Sequence, residues 1–174
     1  EPKSSKLKAK SYLLIWTTTP WTLPSNIAIA VNPNISYTKY KIGKEFVWSY
    51  NAPPVESGAE LEVVEKVPGK KLVGMKYQPL FKVPGPWLKN KKFFKVYGAD
   101  FVGTEEGTGL VHIAPAFGED DMNLVKKFQK ELVGQIPITI DERGFVQSGL
   151  PGAGKFAKQA DKDIISHLDK NNRL

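Results

Sequence analysis

Gly107-Thr108-Gly109-Leu110-Val111-His112-Ile113-Ala114-Pro115-Ala116-Phe117-Gly118-Glu119-Asp120-Asp121 changes character halfway along. Its first half is a strand pattern, with apolar Leu110, Val111, Ile113 and Ala114 around a single His112. A Gly-Thr-Gly turn leads in, and Pro115 ends the strand because proline cannot donate to a central ladder. Gly118 permits a tight turn, and the acidic triplet Glu119-Asp120-Asp121 opens a helical pattern. One imidazole therefore stands in an apolar strand, and carboxylates follow it on a loop at a helix start. Rigid elements that present groups to a ligand are built this way. A plainer reading fits too. A lone histidine in a strand is commonly a hydrogen-bonded core residue, and carboxylates at a helix start cap free N–H groups and complement the dipole.

Working outward on the C-terminal side, Met122, Val125, Phe128 and Leu132 share one face, with Lys126, Lys127 and Lys130 off it; this spacing predicts a helix over 119–132. Ile136 to Ile140 reads as a strand, Asp141-Glu142-Arg143-Gly144 as a turn back into Phe145-Val146, and Ala157, Ala160, Ile164 and Leu168 as a last helix. On the N-terminal side, Tyr12 to Trp16 is an apolar run that predicts a buried strand over 11–17. The stretch Thr17-Thr18-Thr19-Pro20-Trp21-Thr22-Leu23-Pro24-Ser25-Asn26 is rich in hydroxyls, and its prolines exclude a regular helix or strand, leaving a stiff loop. Strands are predicted at 27–31, 37–42 and 61–67, with 46–50 either strand or short helix and 93–102 strand-forming around Gly98. Residues 82–92, with Pro84-Gly85-Pro86 and Lys89, Lys91 and Lys92, read as a surface loop. About eight short strands and two helices make a β-rich α+β pattern, a curled sheet or barrel with peripheral helices. Residues 1–10 have a linker composition, 11–170 read as one domain, and 171–174 as a boundary; both ends look cut from a longer protein.

Bulk composition narrows the function classes. The 174 residues include no cysteine, so disulfides and thiolate metal sites are excluded, and His112 and His167 are too far apart in sequence to suggest a metal cluster. There is no run of eighteen apolar residues and no signal-like N-terminal segment. With 25 basic against 18 acidic residues the net charge is +7, which favours polyanionic partners, nucleic acid foremost. Gly149-Leu-Pro-Gly-Ala-Gly154-Lys155 matches most of a phosphate-binding loop, but Phe156 stands where a magnesium-holding hydroxyl is required, so an NTPase is rejected. A nucleophilic threonine in the 17–22 loop would need an adjacent base, and sequence spacing alone does not bring His112 there. The hydroxyl row suits holding a water or a substrate hydroxyl, or satisfying its own loop backbone.

Two separated motifs carry a resemblance. Trp16-Thr-Thr-Thr-Pro-Trp-Thr-Leu-Pro24 with Asn26, and Gly107-Thr-Gly-Leu-Val-His-Ile-Ala-Pro115 with Gly118-Glu-Asp-Asp121, are similar to the editing (CP1) domain of isoleucyl-tRNA synthetase, in its eukaryotic cytosolic-like form. The related valyl and leucyl enzymes carry arginine where Thr19 stands and lack the His-x-Ala-Pro form. The likeness covers nearly the whole chain and is weakest over 47–60, whose structure is left open.

The resemblance implies a domain inserted in a catalytic ligase that hydrolyses valine wrongly esterified to isoleucine tRNA. One methylene discriminates poorly in a binding pocket, and isoleucine against valine is itself the standing example of that limit, so a second site must destroy the smaller product. It further implies that Asp121 holds the substrate ammonium, that His112 lines the amino-acid pocket, and that Thr17, Thr18, Thr19 and Thr22 contact the terminal adenosine and position water. Asn26 matches a substrate-binding position. Thr19, Thr22 and Asp121 are the implied catalytic residues. No metal or cofactor is implied in this domain; ATP and magnesium belong to the parent ligase. The implied partners are the tRNA(Ile) 3′ end carrying valine and the rest of the synthetase, with no membrane, in the cytoplasm. The alternative is a non-catalytic aminoacyl-tRNA or RNA-binding module of the same fold.

Overall fold

The computed structural model describes residues 10–55, 57–131 and 134–174. Ile27-Ala-Ile-Ala-Val31 is apolar at every position, the signature of a strand covered on both faces. It forms β2 (Ala28–Val31) at the centre of a three-stranded sheet, parallel to β6 (Lys95–Gly98) and antiparallel to β7 (Leu110–Ile113). Its two faces feed two cores. Ile29 and Val31 pack with Tyr37, Trp48, Leu72, Val96 and Leu110, which joins this sheet to a second one. Ala28 and Ala30, with Ile27, pack with Phe93, Val102, Ile113, Leu124 and Val125, which seats α1 (Glu119–Phe128) on the opposite face.

The second sheet has the order β1 (Ser11–Leu13), β4 (Glu45–Ser49), β3 (Ser36–Ile42), β5 (Leu61–Pro68). β3 pairs antiparallel with β4 and β5, while β1 runs parallel to β4 at one edge. The Tyr37 hydroxyl pins the sheets together: it donates to the Gly109 carbonyl (2.6 Å) and accepts from the Asn32 N–H (2.9 Å). Beside it the Tyr50 N–H donates to the Thr108 carbonyl at 2.7 Å. Gly109, at φ +71°, allows this approach, since a Cβ there would lie 2.5 Å from Tyr50 Cβ. α2 (Asp161–Lys170) packs Ile164 and Leu168 against Leu23 and Phe81.

The α+β reading holds, and both sheets are open among the described residues rather than closed as a barrel. Several sequence expectations are corrected. The 11–17 strand stops at Leu13 and is not buried, because β1 is an edge strand and the run continues out to Trp16, 51% exposed. Residues 20–25 are a 3₁₀ helix, not an irregular loop. Pro20 sits at its start, where no N–H is needed, and bonds from the Thr22 N–H to the Thr19 carbonyl and from the Asn26 N–H to the Leu23 carbonyl bypass Pro24. The 46–50 ambiguity resolves as strand. Among the described residues, 136–140 make one bridge, Ile140 to Val146, with Pro137 lacking a donor upstream. The 119–132 helix ends at Phe128, and Leu132 lies outside the described residues. The 82–92 loop contains a 3₁₀ turn, Pro86–Lys89, and the last helix begins as a 3₁₀ turn, Ala157–Ala160.

Candidate functional site

The two motifs that are about ninety residues apart in sequence meet across one cleft, because β7 lies beside β2 and the threonine row leads directly into β2. The cleft has a volume of about 710 Å³. On one side it is lined by Trp16, Thr17, Thr18, Thr19 and Thr22, and on the other by 103–112, Ala114, Phe117 and Asp121. Its charged side chains are the carboxylates of Glu105, Glu106 and Asp121; no lysine or arginine among the described residues lines it. In a chain of net charge +7 this is a local inversion, and it favours a cationic or neutral group over a phosphate.

The threonines bond among themselves. Thr17 Oγ1 accepts from the Thr19 N–H (3.1 Å) and lies 3.4 Å from Thr19 Oγ1. Thr18 is exposed. Thr22 is buried; its hydroxyl donates to the Thr19 carbonyl (2.9 Å) and sits 3.1 Å from His112 Nε2. So the fold does bring His112 to a threonine, which sequence spacing alone did not establish. His112 is 8% exposed, and burial lowers its pKa from 6.5 to about 4, so the ring is neutral at pH 7. His112 Nδ1 is buried and has no partner among the described residues.

Asp121 is the third residue of α1, and the turn before it sets its position. Its Oδ2 accepts from the Ala114 N–H at 2.7 Å, tying the helix start to the end of β7. Gly118 leaves room for it, since a Cβ there would come within 2.9 Å of Asp121 Cγ. Desolvation raises the Asp121 pKa, the Ala114 N–H opposes that shift, and the neighbouring Asp120 charge adds to it. Oδ1 makes no protein hydrogen bond among the described residues, which leaves one carboxylate oxygen for a ligand.

The structure thus gathers Thr17, Thr18, Thr19, Thr22, His112 and Asp121 at one cleft. It does not bring Asn26 into the lining. Asn26 is buried, donates to the Ala28 carbonyl (2.8 Å) and accepts from the Tyr77 hydroxyl (2.5 Å), so it fixes the exit of the loop into β2. Sequence reasoning missed Trp16, assigned to a buried strand, and Phe117, whose ring meets Trp21 edge-on at 5.0 Å. It also missed Gly103 to Glu106. The available signal was composition: Gly-Thr-Glu-Glu-Gly-Thr lacks any strand or helix period yet leads directly into a buried strand. Gly107, at φ +72°, lies against the Trp16 side chain, which brings the two walls together. The rejected phosphate loop is a series of turns, with Lys155 paired to Asp163 at 2.7 Å. Among the described residues there is no group of three His, Asp or Glu side chains that could hold a metal ion.

No protein-family model matches the sequence. The chain is 41% identical over 169 residues to an isoleucine–tRNA ligase of Clostridium acetobutylicum, a match covering 97% of this chain and 16% of that protein. It is 38% identical over 175 residues to the cytoplasmic isoleucine–tRNA ligase of Schizosaccharomyces pombe, covering 92% of this chain and 16% of the relative. The chain therefore spans about one sixth of the length of these relatives. Among solved structures it is similar to the CP1 domain of GlLeuRS, with a TM-score of 0.73 at 19% identity, covering 95% of this chain and 83% of the other. It is also similar to the editing domain of P. knowlesi cytosolic leucyl-tRNA synthetase, with a TM-score of 0.64 at 13% identity, covering 92% and 82%. The motifs, the sequence relatives and the shared fold agree that this chain belongs to the isoleucyl-tRNA synthetase family and has the fold of its CP1 editing domain.

Proposed function

We propose that the cleft hydrolyses the ester of valine mischarged to tRNA(Ile), by attack of water on the aminoacyl carbonyl. The observation that carries this reading is the convergence of the threonine row, His112 and Asp121 on one cleft whose charges, among the described residues, are all carboxylates. An aminoacyl ester of tRNA differs from other RNA ends in its α-ammonium. Asp121 offers one free carboxylate oxygen to it, a charge-assisted contact that also rejects uncharged termini. The ester is already activated, so the chemistry asked of the protein is modest: hold a water against the carbonyl and donate to the developing oxyanion. Thr17 and Thr19 supply hydroxyls for that water; its oxygen bonds to the carbonyl carbon, the ester C–O bond breaks, and the ribose oxygen leaves as a hydroxyl by taking a proton from the attacking water. His112, packed at the base of the cleft, limits the volume open to the side chain and so admits valine over isoleucine.

A second mechanism is suggested by the 3.1 Å contact of Thr22 with His112, a nucleophile beside a base. Three features disfavour it. The Thr22 proton is directed to the Thr19 carbonyl. A ring with a pKa of about 4 is a weak base at neutral pH. No third group among the described residues orients it through Nδ1. Direct attack by water is the better reading. The non-catalytic binding module stays as the alternative class.

Recognition of the tRNA 3′ end falls to residues around the cleft and to the remainder of the synthetase, and a cytoplasmic setting follows the S. pombe relative. The test is deacylation of valyl-tRNA(Ile) by the wild type, Asp121→Ala and Asp121→Asn. Loss of the charged contact lowers kcat/KM by about tenfold to a hundredfold in both variants. Wild-type rates in both variants would remove the ammonium role. A wild type that binds valyl-tRNA(Ile) without cleaving it would establish the binding module.

A further inference from the structure

The threonine row is held from behind by the C-terminal helix. The 3₁₀ helix Pro20–Ser25 starts without a side-chain cap of its own, since Thr19 makes no capping bond and Pro20 has no N–H. The Trp21 N–H is then an orphan donor at the helix start, and such groups must find a partner. It finds one 140 residues away: it donates to Asp161 Oδ1 at 3.0 Å, at the first position of α2. Asp161 Oδ2 pairs with Lys158 Nζ at 2.9 Å, and the same ammonium reaches the Thr18 carbonyl at 3.4 Å. The carboxylate is well sheltered, with its side chain 14% exposed, and that strengthens the bond relative to one in open water. Asp161 and Lys158 therefore grip the backbone on both sides of Thr19 and Pro20. Neither residue lines the cleft.

We propose that Asp161 is a positioning residue for the editing site, capping in trans the short helix that carries Thr22 and, with Lys158, fixing the backbone of the threonine row. This rests on the reading of the cleft as an editing site. The energetic logic is that of any remote positioning group. Water and ester must be aligned to within a fraction of an ångström, so a loop that drifts loses turnover before it loses binding. The charge on Asp161 suits the N-terminus of α2 as well, so a purely local role in that helix is the competing explanation.

The experiment separates the two by comparing Asp161→Ala, Asp161→Asn and Asp163→Ala. Asp163 lies on the same helix and holds an ion pair to Lys155, but among the described residues it makes no hydrogen bond or ion pair to the threonine row. Two readouts are taken: hydrogen exchange of the Trp21 amide, and kcat and KM for valyl-tRNA(Ile) deacylation. The expected result is faster Trp21 exchange and a kcat lowered about tenfold or more in Asp161→Ala, with KM changed less than twofold. Asp161→Asn, which keeps an acceptor for the Trp21 N–H, recovers most of both. Asp163→Ala resembles the wild type in both.

Unchanged Trp21 exchange in Asp161→Ala overturns the cap. Faster exchange with unchanged kcat overturns the positioning role and leaves the cap as a matter of stability alone. Equal losses in Asp161→Ala and Asp163→Ala assign the effect to α2 as a whole and overturn the proposal as well. A wild type that does not deacylate at all counts against the editing reading, and Trp21 exchange then decides the cap by itself.

Discussion

The Thr22 hydroxyl stands between the Thr19 carbonyl (2.9 Å) and His112 Nε2 (3.1 Å), and these two contacts fix where the imidazole proton sits. The hydroxyl has one proton, and the nearer carbonyl takes it. Nε2 must then be the donor, and the unpartnered Nδ1 carries a lone pair. The opposite arrangement would bury an orphan N–H, which is rarer in native proteins than an under-satisfied acceptor. Thr22→Val leaves the His112 N–H unpaired and is expected to destabilise the fold by about 1–3 kcal/mol. Thr22→Ser keeps the hydroxyl and costs less. Denaturant titration of both variants checks this, and equal destabilisation would count against the hydrogen bond.

Burial of neutral His112 makes stability depend on pH with a definite sign. Its folded pKa of about 4 lies below the ordinary 6.5, so the unfolded chain binds the extra proton first as pH falls. The stabilisation is fully present above pH 6.5 and is lost as pH falls from there to about 4. Integrated over that window it is roughly 3 kcal/mol. His112→Gln removes the dependence. Between pH 7 and pH 4 the wild type should therefore lose about 3 kcal/mol more unfolding free energy than the variant. Parallel curves would show that the ring is not buried neutral.

Two glycines at positive φ make predictions of different size. Gly43, at φ +58°, has open space where a Cβ would stand, so Gly43→Ala carries only the left-handed backbone strain of about 1–2 kcal/mol. Gly109, at φ +71°, would set a Cβ 2.5 Å from Tyr50 Cβ, an atom fixed to the backbone of the facing sheet. Gly109→Ala is expected to cost about 3 kcal/mol or more and to loosen the Tyr37 hydroxyl from the Gly109 carbonyl. Thermal melts of the two variants test the contrast.

Asn26 predicts an effect carried through structure rather than contact. Its amide ties the Ala28 carbonyl to the Tyr77 hydroxyl behind the cleft. Asn26→Ala is expected to lower stability by about 1–3 kcal/mol, since it leaves buried polar groups unpaired. Loss of activity should track that destabilisation. A large activity loss at full stability would instead place Asn26 against the ligand.

What was legible in the sequence follows from the period of each segment. β2 was readable because its apolar run is continuous between Pro24 and Pro33, and β7 because its apolar residues around His112 are bounded by Gly109 and Pro115. α1 was readable from the spacing of Met122, Val125 and Phe128. The threonine row and the acidic triplet were readable as ligand-presenting stretches, but only the family resemblance, and not their spacing, made them partners, since their meeting depends on β2 pairing with β7. Trp16 was misplaced because an apolar run looks alike whether it enters a core or rises to a cleft mouth. Asp161 was invisible for a different reason: an acidic residue at a helix start is expected on local grounds, and nothing local reveals that it also caps a helix 140 residues away.

The most direct test of the editing reading is the deacylation of valyl-tRNA(Ile) and isoleucyl-tRNA(Ile), measured side by side with this chain at low salt. The account predicts that valine is lost at least about tenfold faster than isoleucine, the discrimination one methylene supports in a closely packed pocket. Equal loss of both would contradict the sieve formed around His112, and retention of both at the rate of buffer alone would contradict hydrolysis at this cleft.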